Sequence, residues 1–150
     1  MAQRGFTLVE VVLVMGIAAM VLWIAVPMAR AYIERGRVNQ AIVDIGTMST
    51  AIRQRIKTNG KLPDSLGEAG FGNSTDPWGH SYQYLNLFDN KGNGQARKDK
   101  ALNPLNTDFD LYSVGPDGQT KPQVTQADSR DDVIRARDGS FVGLASDFDP

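Results

Sequence analysis

From Phe6 to Ala29 the chain runs for 24 residues with one charged side chain, Glu10. As a helix that run is about 36 Å long at ~1.5 Å per residue, enough to cross a hydrocarbon core of about 30 Å. A carboxylate in such surroundings costs roughly 2 to 3.5 kcal/mol even on lenient insertion scales, so it marks a function and calls for a partner. The run is too long for the apolar stretch of an ordinary signal peptide, which spans about 7 to 15 residues. A plain membrane anchor fits the length and leaves Glu10 unexplained.

Beyond Ala29 the helical pattern continues in a different register of polarity. Arg30, Glu34, Arg35 and Arg37 leave the membrane, and Val38, Ala41, Ile42, Ile45, Met48, Ile52 and Ile56 then recur at steps of three or four. That spacing predicts one apolar stripe, suited to packing on a sheet, with Gln40, Asp44, Arg53 and Gln54 facing outward. Asn59-Gly60 ends the helix and Pro63 prevents an immediate restart. Within the membrane half, Gly16 and Pro27 weaken the helix, and a kink is expected at Pro27.

The 15 glycines and 7 prolines lie mostly after residue 59, so the second half is rich in turns. Ser81–Phe88 and Phe109–Val114 read as strands, Asp132–Arg135 as a short strand at an edge, and Gly139–Phe148 as the segment closing the domain. Asp89–Ala101 is polar and basic and reads as a mobile loop. One long helix followed by a small antiparallel sheet is an α+β arrangement.

Several chemistries are excluded by what is missing. Without cysteine there are no disulfides, thiolate zinc sites or thiol nucleophiles. A formal charge of −1 gives no polybasic surface for nucleic acid. No Gly-x-Ser-x-Gly, His-Glu-x-x-His or phosphate loop occurs, and His80 is the single histidine, so a surface role beside a turn is expected for it and no enzyme is indicated. Asp89–Gly94 begins like a calcium loop of the EF-hand kind, but Lys91 and Lys100 stand where ligands are needed. A better oxygen cluster is Asp117 with Asp128, Ser129, Asp131 and Asp132. These carboxylates are either solvated turn residues or a site for a hard divalent cation.

Gly5-Phe6-Thr7-Leu8-Val9-Glu10, ahead of the long apolar run, resembles the prepilin peptidase site of the type IV pilin family, which includes the pseudopilins of type II secretion systems. The resemblance implies a leader, residues 1–5, cut after Gly5. It implies methylation of the new N-terminal Phe6, an assembly and membrane helix at 6–29, and a pilin-like head at 30–150 that includes the amphipathic half of the helix. It implies a single pass through a bacterial inner membrane with the head in the periplasm, followed by entry into a homo-oligomeric helical filament. Partners implied are the prepilin peptidase, the secretion or pilus assembly machinery and minor pilins, with no nucleic acid. Glu10 would then pair with the Phe6 amino group of a neighbouring subunit, which neutralises the charge only in register. The resemblance also implies that the helix can lose its form between Gly16 and Pro27 in a filament.

Phe109–Gly118, with Asp76–Gly79 and Tyr82–Tyr84 upstream, is similar to the head of the major pseudopilin group, which binds calcium. Carried over, Asp117 is a side-chain ligand and Val114 a carbonyl ligand. The match loosens at Ser129–Asp132, where Ser129 and either Asp131 or Asp132 complete the set. The expected function is a calcium-stabilised subunit of a pseudopilus that drives protein secretion. The alternative is a type IV pilin of adhesion, motility or DNA uptake, with the basic loop at Asp89–Ala101 as its contact surface.

Overall fold

The structure, a computed structural model, describes residues 7–88 and 94–149. The leader, Gly5, Phe6 and loop positions 89–93 lie outside the described residues. Two compact units are present, Met1–Gly36 and Arg37–Pro150. Helix α1, Leu8–Asn59, is assigned without a break through Pro27.

In the first unit the apolar side chains are bare, with Leu8 81% and Trp23 84% exposed. The mean hydropathy of 2.6 in its most apolar window makes this the one helix among the described residues long and apolar enough to cross a membrane. A surface of this kind needs lipid or protein around it.

In the second unit the predicted stripe is the buried one. Ala41, Ile45, Met48 and Ile52 are buried, and Val38, Ile42 and Ile56 pack against the same cluster. The helix ends as expected, where the Gly60 N–H donates to the Ile56 carbonyl at 2.8 Å. The stripe packs against Tyr82, Phe109, Leu111 and Val133 of the sheet region.

The sheet has four antiparallel strands in chain order: β1 Gln83–Asn86, β2 Phe109–Ser113, β3 Val133–Ala136 and β4 Phe141–Leu144. Gln83 pairs with Tyr112, Tyr112 with Ile134, and Ile134 with Gly143. Two expectations are corrected here. The third strand is not an edge but pairs on both sides, and the closing segment contains a fourth strand that forms the edge. A four-residue strand holding an arginine suits an edge, yet all four residues of β3 are buried because the sheet is covered twice. Val133 faces the helix cluster, while Ile134 and Ala136 join a second cluster with Leu105, Val124 and Ala145.

Arg135, 1% exposed, braces helix to sheet. Its Nε donates to Ser49 Oγ on α1 at 3.0 Å, and its two terminal nitrogens donate to the two Asp108 carboxylate oxygens at 2.7 Å each. The polar loop is also not uniformly solvated. Arg97 is 2% exposed, and the following residue is pinned by Lys98 N–H to the Pro122 carbonyl at 2.8 Å and by Val124 N–H to the Lys98 carbonyl at 3.0 Å.

Candidate functional site

At the start of α1, Thr7 and Glu10 form a reciprocal cap. The Thr7 N–H and hydroxyl each donate to Glu10 Oε2 at 2.9 Å, and the Glu10 N–H donates to Thr7 Oγ1 at 3.3 Å. Thr-x-x-Glu is the capping-box pattern, in which orphan donors of the first helical turn find acceptors. The carboxylate also sits at the positive end of the helix dipole. Glu10 therefore has partners within its own subunit, and the Thr7 spacing was the sequence signal for them. Gly5 and Phe6 lie outside the described residues, so the cleavage and methylation positions carry no geometry.

The oxygen-rich turns of the head divide into separate environments. Val114 is buried just after β2, while Asp117 is exposed and its Oδ1 accepts the Gln119 N–H of its own turn at 2.8 Å. Asp131 is half-buried beside Gly115. Its carboxyl is raised by burial and by the charges of Asp117 and Asp128, with the Asp117 backbone amide opposing. Ser129 is fully buried, accepting the Lys121 N–H at 2.8 Å and donating to the Lys121 carbonyl at 3.0 Å.

Asp132, also fully buried, belongs to a different set. Its Oδ2 accepts from Arg97 Nη2 at 2.5 Å and from the Thr120 hydroxyl at 2.7 Å. Arg97 Nη1 donates to the Lys121 carbonyl at 2.7 Å and to Thr120 Oγ1, and the guanidinium lies 4.3 Å over the Tyr112 ring. Burial raises the Asp132 carboxyl against the pull of Arg97 and Thr120, to about 6, so it remains ionised at neutral pH. Arg97 and Thr120 were not legible as site residues. In sequence Arg97 is one of several charges in a polar loop.

Of the two carboxylates expected to complete the set, Asp132 does not fit calcium. Calcium takes six to eight oxygens, and among the described residues no three acidic or histidine side chains come together to hold a metal. Asp132 and the Lys121 carbonyl are engaged by a guanidinium, and a divalent cation placed there would be repelled by it.

His80 is not a bare surface residue. Its Nδ1 donates to the Gly115 carbonyl at 3.0 Å, and its backbone N–H donates to Asp76 Oδ1 at 2.9 Å. Asp76 is buried and also accepts from Ser113 Oγ at 2.5 Å, so Asp76-Pro77-Trp78-Gly79 is a clasp on the end of β2.

Comparison with known proteins agrees with the helix start. Residues 1–26 match the prokaryotic N-terminal methylation motif. A fimbrial protein of Neisseria meningitidis is 27% identical over 141 residues, covering 91% of this chain and 81% of that protein. Type II secretion system core protein G of Xanthomonas campestris is 29% identical over 132 residues, covering 78% of this chain and 81% of that protein. The type IV major fimbrial protein FimA of Dichelobacter nodosus is 40% identical over 50 residues, 33% of this chain and 32% of that protein. No solved structure matches the chain. A methylation motif on a bare apolar helix, followed by a sheet-backed head, makes this chain a type IV pilin-like structural subunit, with similarity to fimbrial and secretion proteins alike.

Proposed function

We infer that the chain is the subunit of a pseudopilus of a type II secretion system. It is cut after Gly5 and methylated on Phe6 by a prepilin peptidase. It waits in the inner membrane with its head in the periplasm, and then joins a helical filament through α1. The observation that carries this reading is Glu10, the lone charge at the start of an exposed apolar helix that bears the methylation motif. Each copy meets the next head to tail, through two different faces and without closing a ring, which is the contact geometry of an open helix. In the membrane Glu10 is held by Thr7. In the filament it meets the Phe6 amino group of a neighbour, and that charge pair fixes the register.

Similarity along 91% of the chain to a fimbrial protein supports a second reading, a surface pilus of adhesion, motility or DNA uptake. Deleting the gene and assaying both protein export and surface fibres separates the two. Loss of export with no loss of fibres supports the pseudopilus, and the reverse supports the pilus. Mass analysis of the N-terminus tests both together, with methylated Phe6 expected as the first residue. A mature protein that retains Met1 overturns both.

A further inference from the structure

We propose that the cation of the Asp132 turn cluster is the guanidinium of Arg97, so that the head folds on a built-in positive charge and needs no divalent ion. The oxygens around Arg97 are the kinds a hard cation selects: the Asp132 carboxylate, the Thr120 hydroxyl and the Lys121 carbonyl. Both partners of the ion pair are buried, with side chains 3% and 0% exposed. A buried carboxylate without a counter-charge is strongly destabilising, and Arg97 supplies that charge from the chain.

The arginine is also held in place independently of the pair. Its own backbone N–H donates to the buried Asp110 Oδ2 at 2.7 Å, Lys98 is tied to the 122–124 segment on both sides, and Tyr112 lies under the guanidinium. Arg97 Nε and Asp132 Oδ1 are the two buried side-chain atoms among the described residues with no hydrogen-bond partner in the protein. A flat, two-pronged cation suits this arrangement better than a point charge, because one guanidinium reaches the loop carbonyl, the hydroxyl and the carboxylate together. The segment from Thr120 to Asp132 is thereby closed onto β2 from within.

The test uses the full chain in detergent, melted in EGTA and in millimolar calcium chloride. The wild type is expected to melt within about 1 °C in the two conditions, because a ion that does not bind the native state does not stabilise it. Arg97→Gln is expected to melt lower by about 5 to 15 °C in EGTA, with Arg97→Lys between it and the wild type. If Arg97→Gln does not fold, the comparison of wild type with Arg97→Lys in EGTA takes its place, and a loss of several degrees is expected. A wild-type melting temperature that rises by several degrees with calcium overturns the proposal. So does a variant series that melts like the wild type in EGTA.

Discussion

The Arg135 guanidinium lies 3.9 Å over the centre of the Phe109 ring, with its nitrogens spent on Ser49, Asp108 and the Phe109 carbonyl. One side chain thus ties α1, β2 and β3 together. Arg135→Met removes the fork and leaves Asp108 half-matched, and should cost about 3 kcal/mol in a urea titration of the detergent-solubilised chain. Arg135→Lys should recover little of this, because an ammonium cannot make the paired bonds to Asp108. A loss of less than about 1 kcal/mol for Arg135→Met would show that the brace contributes nothing beyond packing.

Gly115 is fixed by space as well as by conformation. Its φ is +67°, and a Cβ there would stand 2.6 Å from the Asp131 carbonyl oxygen. Gly115→Ala should therefore destabilise the head by roughly 2 to 4 kcal/mol, from left-handed strain and overpacking together. Gly70 has φ +90° with nothing within 4 Å, so Gly70→Ala should cost only about 1 kcal/mol. Equal unfolding midpoints for the two variants would contradict the crowding at Asp131.

Asp138 gives the head an acid dependence. Its burial raises the carboxyl, but the Thr107 N–H and hydroxyl, with Asp108 and the Arg135 charge, hold it below the usual carboxylate range. A carboxyl lowered in the folded state stabilises above its unfolded value near pH ~3.9 and loses that contribution as pH falls through the folded value. Asp138 is largely solvent-screened, so the effect is below about 1 kcal/mol. Asp138→Asn, which keeps the left-handed backbone of φ 53° tolerable, should flatten the stability difference between about pH 3 and pH 7. An unchanged slope in urea titrations at the two pH values would remove Asp138 from the account.

The helix cap and the assembly charge are separable. Thr7→Val removes the hydroxyl of the capping box and should weaken the first turn by about 1 kcal/mol, read as roughly fivefold faster amide exchange at Glu10. Glu10→Leu should insert into the membrane normally and fail to assemble, or assemble out of register. Normal filaments from Glu10→Leu would refute the register role, whatever the exchange rates show.

What was readable in the sequence follows from periodicity. The stripe from Val38 to Ile56 repeats at helical spacing over five turns, and Phe109–Val114 carries enough β-branched and aromatic residues to mark a strand, so both elements were legible. Val133–Ala136 and Phe141–Leu144 are four residues each, too short to show which strands flank them. The place of β3 in the middle of the sheet goes with a second cluster that includes Leu105, which lies far from it in the chain. At the helix start, Thr7 and Glu10 are three residues apart and their pairing was local. Arg97 and Asp132 are 35 residues apart, and nothing near either one names the other.

The strand order of the sheet matches the order of synthesis, β1 to β4. Each strand, taken in chain order, finds its neighbour already present, and none has to insert between two that have paired. The final strand adds to an open margin, so a chain stalled before Phe141 already holds three of its four strands, joined by two of its three ladders. Such a head can be completed vectorially, by simple addition, as the last residues are delivered.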